Sequence, residues 1–148
     1  MSSEWLDIQN FVSDQEALRA INDLTIATHL SMAHVADQER IQKADQARHY
    51  LRRFLTELNL VLQARRDGDV APGVDPRMQD LAESFELAKR DTSQEHSILL
   101  KTGPIDGVIL LDAKEPPAMR ELLRSLDELR ELITARQHTH HSAILEDF

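Results

Sequence analysis

The chain contains no cysteine, which removes disulfide frameworks, thiolate metal sites, iron–sulfur clusters and cysteine nucleophiles together. Aromatic residues are also few, with one Trp, one Tyr and four Phe, too few for the stacking platforms of single-strand nucleic-acid binders. Four glycines and five prolines are scattered, and no glycine-rich loop able to cradle a phosphate occurs. Basic charge is scarce: 17 Lys and Arg face 26 Asp and Glu, for a formal charge of −9. Basic neighbours run no longer than Arg52-Arg53 and Arg65-Arg66, so the phosphate neutralisation that nucleic-acid binding requires is absent. No apolar run approaches the ~18 to 20 residues that cross a bilayer; the longest is Val108 to Leu111. The opening Met1-Ser2-Ser3-Glu4 has neither a basic region nor an apolar stretch, so no export signal or membrane association is expected and the location is read as cytoplasmic.

What is present is helical. The 148 residues are 41% hydrophobic and 29% charged. That is enough for a single domain, residues 1–148, burying roughly 70% of its unfolded-chain surface. Ser13-Asp14-Gln15-Glu16 has the pattern of a capping box and predicts a helix start near Asp14. From there no glycine or proline occurs until Gly68, so only hydrophobic phase can mark a break. At about 100° per residue, Leu18, Ile21, Leu24, Met32 and Val35 share one stripe, with Thr28 its single polar member. Ala47, Tyr50, Phe54, Leu58 and Val61 share a second, roughly 70° around from the first. Two readings follow: a break or kink near Ala36 to Arg40, giving two helices, or one long helix that changes partners midway. The continuous form would extend about 80 Å and favour a second subunit to cover it.

Arg65-Arg66-Asp67-Gly68 closes this segment with cations and a glycine stop, and Ala71-Pro72-Gly73-Val74 reads as a turn. Asp75-Pro76 fits an N-cap and first helical position, because a proline there loses only an N–H that has no helical partner. The helix it opens is predicted to reach about Lys101, with Met78, Leu81, Phe85, Ala88, Thr92 and Leu99 inward, closed by Gly103-Pro104. Glu115-Pro116-Pro117 opens the last helix, with Met119, Leu122, Leu126, Leu129 and Ile133 inward, fraying near Leu145. Two apolar side segments stand apart. Trp5, Ile8 and Phe11 or Val12 share a helical face and predict a short N-terminal docking helix. The run Ile105 to Leu111 is β-branched and predicts an extended strap, either closing one end of the bundle or pairing with another chain through Val108, Ile109 and Leu110.

Chemistry is harder to find. Glu83/Glu86 and Glu128/Glu131 have the ExxE spacing of acidic metal-binding helices, but the wheel turns Glu83, Glu86 and Glu131 away from the apolar stripes, so these read as solvated faces. No Glu-x-x-His pair exists, which removes the di-iron bundle signature. Of seven histidines, His34, His49 and His138 project outward, whereas His29, His96 and His140 lie on or beside apolar stripes. In an antiparallel layout His29 and His96 fall at one end, near the height of Asp45 and Glu121, and form the candidate metal set together with His140. His138-Thr139-His140-His141 is a second, adventitious chelating tract. No serine sits in a strained nucleophile turn, so catalysis is not expected.

The sequence thus predicts an all-α protein: an antiparallel bundle of three long helical segments, the first kinked or split to give four helices, plus a short N-terminal helix. The expected function is a non-catalytic protein–protein interaction module without cofactor, an adaptor, assembly factor, chaperone-like subunit or regulator, working with a protein partner or as a homo-oligomer. Its predicted contact residues are Trp5, Ile8, Phe11, Val108, Ile109 and Leu110. One alternative is a His/carboxylate metal-binding bundle. Another is an acidic inhibitor of a basic protein, motivated by the −9 charge alone.

Overall fold

A computed structural model describes residues 3–70, 76–91 and 97–146, with side chains over 14–70, 76–91 and 97–137. Among these residues there are six α-helices and no strand. They are α1 (Ser3–Met32), α2 (Gln38–Arg66), α3 (Pro76–Arg90), α4 (Ile98–Thr102), α5 (Pro104–Leu110) and α6 (Pro116–Glu146). Helix α1 packs on α2, α2 on α3, α3 on α6 and α6 back on α1, so the four longest helices close around one core. The short α4 and α5 pack on each other and on α6, with α4 also against α3 and α5 against α2.

The core follows the hydrophobic spacing. Ile21 and Leu24 of α1, Leu51, Leu58 and Val61 of α2, Leu81 and Phe85 of α3, and Leu122, Leu129 and Ile133 of α6 are all buried. Each such side chain contributes about 1.5–3 kcal/mol on leaving water, which is what selects these helix faces. Thr28, the polar member of the first stripe, is buried as well; its hydroxyl donates to the Leu24 carbonyl at 2.7 Å and so carries its own partner inward.

The long first segment is two helices, and the break needs neither glycine nor proline. At the end of α1, His34 takes a left-handed conformation with φ of 57°. Its amide donates to the Ser31 carbonyl at 3.1 Å, and that of Val35 to the Leu30 carbonyl at 2.9 Å, the paired bonds of a Schellman turn. Gly68 closes α2 in the same way with φ of 72°: its amide donates to Arg65 at 3.1 Å, and that of Asp69 to Ala64 at 2.8 Å. Asp37 then caps α2, its carboxylate accepting from the Glu39 and Arg40 amides at 3.1 and 3.3 Å. One motif thus ends both helices, once with the residue type that favours it and once with a histidine.

Three expectations are corrected. No helix starts at Asp14, and no separate N-terminal helix precedes one: α1 runs unbroken from Ser3, carrying Trp5, Ile8 and Phe11 in its own first turns. The Asp14 carboxylate is not spent on a cap. It is buried, takes Arg136 of α6, and lies 3.5 Å from an Arg77 nitrogen of α3, while Arg136 also donates to the Arg77 backbone carbonyl. Nor does the third helix reach Lys101. It ends at Arg90, and α4 begins at Ile98, where the Ser97 and Ile98 amides donate to Glu128 and Glu121 of α6 at 3.1 and 3.0 Å. Finally, residues 105–111 are not an extended strap. With no strand beside them, their backbone groups are satisfied by helix formation, as in the Leu111 amide bond to the Gly107 carbonyl at 3.2 Å, with Pro104 in the first turn. Gly107 lets α5 sit close: an added Cβ would meet Leu99 Cδ1 at 3.0 Å and Leu55 Cδ1 at 3.5 Å. Pro76 and Pro116 open α3 and α6 where the sequence places them, whereas the Ala71–Val74 turn, the Asp75 N-cap, Thr92 and His96 lie outside the described residues.

The left-handed His34 gives a first test. A non-glycine residue there costs about 1–2 kcal/mol, so His34→Gly is expected to stabilise the protein by about 1 kcal/mol and raise Tm by roughly 2–4 °C in a thermal melt. An unchanged or lower Tm would contradict the assignment of this turn.

Candidate functional site

Two exposed surfaces are candidates for contact with other molecules, and both adjoin α5. Val108 and Leu110 are half-buried against the core and Leu111 is fully enclosed, which fixes the helix by its inner face. The opposite face presents Ile105 and Ile109, one turn apart, 51% and 69% exposed. Asp106 is the sole charged residue of this seven-residue helix. Of the predicted contact residues, Ile109 therefore faces water and Val108 and Leu110 act as anchors. The exposed partner of Ile109 is Ile105, which is not among the predicted contact residues. Trp5, Ile8 and Phe11 lie on α1, with side chains outside those described.

The second surface lies where α5 hands over to α6. Arg48 of α2 donates through Nε to the Leu111 carbonyl at 3.0 Å and through Nη1 to Asp45 at 3.2 Å, and Arg52, one turn on, pairs with Asp112. These bonds fasten the end of α5 to α2 and leave an open pocket of about 300 Å³, whose rim also includes His49, Ala113 and Lys114. Arg48 lines a second, smaller cleft of about 60 Å³ at the α1–α2 turn, with Ala27, Leu30, Val35, Ile41 and Ala44 among its walls. Among the described residues the pocket is lined by Arg48, Arg52 and Lys114 together with the carboxylates Asp45 and Asp112, so charge-assisted hydrogen bonds are the contacts that it can offer.

The candidate metal residues are not brought together among the described side chains, where no group of three or more His, Asp or Glu is placed to hold an ion. His29 is exposed on α1, Asp45 is engaged by Arg48, and Glu121 receives the Ile98 amide. His96 lies outside the described residues; His138, His140 and His141 are on α6, with side chains outside those described. His34 and His49 are exposed, the former holding the α1 turn and the latter lining the pocket.

The ExxE acids divide by position. Glu83 and Glu131 are exposed, as the wheel implies. Glu86 accepts from Arg65 at 3.1 and 3.3 Å. The Arg65 guanidinium is held above its ordinary pKa by that bond first, against the opposing effect of desolvation, with the charges of Glu86 and Glu83 adding to it. Glu128 is not merely solvated: its two oxygens receive the Ser97 amide at 3.1 Å and the Ser97 hydroxyl. The acids of α6 thus cap the start of α4 from a neighbouring helix, a role that pairwise spacing along one helix cannot reveal.

No protein-family model matches this chain, and neither a curated protein nor a solved structure matches it.

The cross-helix cap predicts that Glu128→Ala costs about 1.5–3 kcal/mol in chemical denaturation, the range for hydrogen bonds to a charged group. Amide exchange at Ser97 and Ile98 should speed up well beyond that of the α2 core; uniform protection across both would contradict the assignment.

Proposed function

We propose that this protein is a non-catalytic protein–protein interaction module, of the adaptor, assembly-factor, chaperone-like or regulatory kind, and that it works as a homo-oligomer. The observation that carries the reading is the outer face of α5, where Ile105 and Ile109 stand exposed on a helix whose inner face is already fixed by Val108, Leu110 and Leu111. Exposed isoleucines one turn apart on a nearly uncharged helix form a patch that another apolar surface can cover. A second copy is the simplest occupant, because a two-fold contact sets the same patch against itself and brings no unpaired charge into its centre.

A stable dimer buries roughly 1,200 Å² or more in total, beyond what seven residues supply. Surface flanking α5 is therefore assigned to the same interface, and Trp5, Ile8 and Phe11, on the first turns of α1, are a second proposed contact. In this proposal the scaffold is an antiparallel bundle, a reading favoured by the brevity of the α1–α2 turn, and the protein works in the cytoplasm.

Light scattering after size exclusion, at about 50 μM, tests the proposal. The wild type is expected at a multiple of 16.9 kDa, and the Ile105→Asp, Ile109→Asp double variant at 16.9 kDa with unchanged helicity. A wild type that elutes as a single chain at that concentration, or a double variant that keeps the larger mass, would overturn it.

A further inference from the structure

The cleft and the pocket that share Arg48 form one continuous surface with an uneven polarity. Along it stand four cations, Arg40, Arg48, Arg52 and Lys114, and three carboxylates, Asp37, Asp45 and Asp112. Every carboxylate is engaged from within: Asp37 by the first amides of α2, Asp45 by Arg48, and Asp112 by Arg52. The cations are not used up in the same way. Arg40 and Lys114 make no side-chain hydrogen bond or ion pair among the described residues, and Arg48 and Arg52 each keep guanidinium donors beyond those already committed. Arg40 and Lys114 thus stand as free positive donors beside Arg48 and Arg52, and the acids there are occupied in holding the fold.

Beside these donors lies apolar surface. Val35 and Ile41 are 51% and 48% exposed, on either side of the α1–α2 turn, and line the cleft over Ala27 and Ala44. A free inorganic anion would use the cations and leave this apolar strip wet. A purely apolar segment would cover the strip and desolvate the cations without return. The ligand that satisfies both carries an aliphatic side chain flanked by carboxylates on a flexible backbone.

We infer that the Arg48 surface binds a short acidic peptide segment of a partner protein, with an aliphatic side chain seated by Val35 and Ile41 and its carboxylates on Arg40, Arg48, Arg52 and Lys114. The inference rests on the reading of the protein as an interaction module and names the partner chemistry of a surface separate from α5. Charge complementarity selects the occupant: its carboxylates meet cationic donors here, while the carboxylates of the surface are already held by amides and guanidinium groups. The aliphatic contact supplies the apolar burial that sets the dissociation rate, and the cations set the orientation.

Fluorescence anisotropy with a labelled synthetic peptide, Gly-Glu-Asp-Leu-Leu-Asp-Glu-Gly, added to the full chain tests the inference. Saturable binding is expected, weakening at least about tenfold for Arg40→Glu with Lys114→Glu and several-fold for Val35→Ser with Ile41→Ser. These four side chains support no described hydrogen bond, so circular dichroism should report an unchanged fold. A peptide with Gln and Asn in place of its acids, or Ser in place of its leucines, should bind at least about tenfold more weakly. Absence of binding would overturn the inference, as would equal binding of the neutral peptide or indifference to charge reversal. Displacement by inorganic phosphate at concentrations equal to the peptide's would also overturn it, by assigning the site to a free anion. The chain's mass separates the two proposals: a single chain that binds the peptide loses the homo-oligomer reading and keeps this one, and an oligomer blind to the peptide does the reverse.

Discussion

A carboxylate inside a helical core is tolerated where cations meet it, and Asp14 is met from two sides. It is buried on α1, joins Arg136 of α6 and stands near Arg77 of α3, while Arg136 also reaches the Arg77 carbonyl. Taking such groups out of water costs several kcal/mol per ion, so the cluster persists only if α1, α3 and α6 arrive in one relative setting. Three helices far apart in sequence are thereby tied at one point. The apolar side chains supply most of the driving force, and the buried charge cluster adds a directional constraint that burial alone does not carry. The rest of the arrangement follows from that setting: α3 and α6 together receive α4, whose start is capped by Glu121 and Glu128, and α5 is then carried against α2.

The helical character and most core positions could be read from the sequence, because burial imposes a period on apolar residues and the chain obeys it. Leu58, Val61, Leu81, Phe85, Leu122 and Leu129 are buried as their spacing requires. The break after α1 was half legible. The phase change between stripes marks it and favours a kink or split, but His34 in a left-handed turn carries none of the usual punctuation that would place it. The Asp14 cluster escaped notice because the local pattern Ser13-Asp14-Gln15-Glu16 has a sufficient meaning of its own as a cap. A signal was nevertheless present. Asp14 continues the spacing of Ala17, Ile21, Leu24 and Thr28, and Arg136 continues that of Leu122, Leu126, Leu129 and Ile133. Opposite charges on two buried stripes announce each other, provided the stripes are extended past their last apolar member.

Residues 105–111 depart, for a different reason, from the extended strap that their composition predicts. β-branched content favours a strand, but a strand needs a neighbour to pair its backbone, and an all-α chain offers none. Among the described residues the segment is therefore a helix, and its exposed pair becomes Ile105 and Ile109. The Arg48 surface was invisible for the converse reason, that it is assembled from α1, α2 and the α5–α6 connection. Several acids of this chain are turned to internal tasks, capping α2 and α4 and holding Arg48 and Arg52, so net charge is a poor guide to what any one face presents.

The central claim is that Asp14 and Arg136 act as a unit that fixes the bundle, and a double-mutant cycle in urea denaturation tests it most directly. Asp14→Leu and Arg136→Met are each expected to destabilise by about 3–5 kcal/mol, since each strands buried charge. The double variant should cost far less than the sum, with a coupling energy of at least ~2 kcal/mol. Single substitutions each worth under ~1 kcal/mol that add without coupling would contradict the account, and would leave apolar packing alone to set the helices in place.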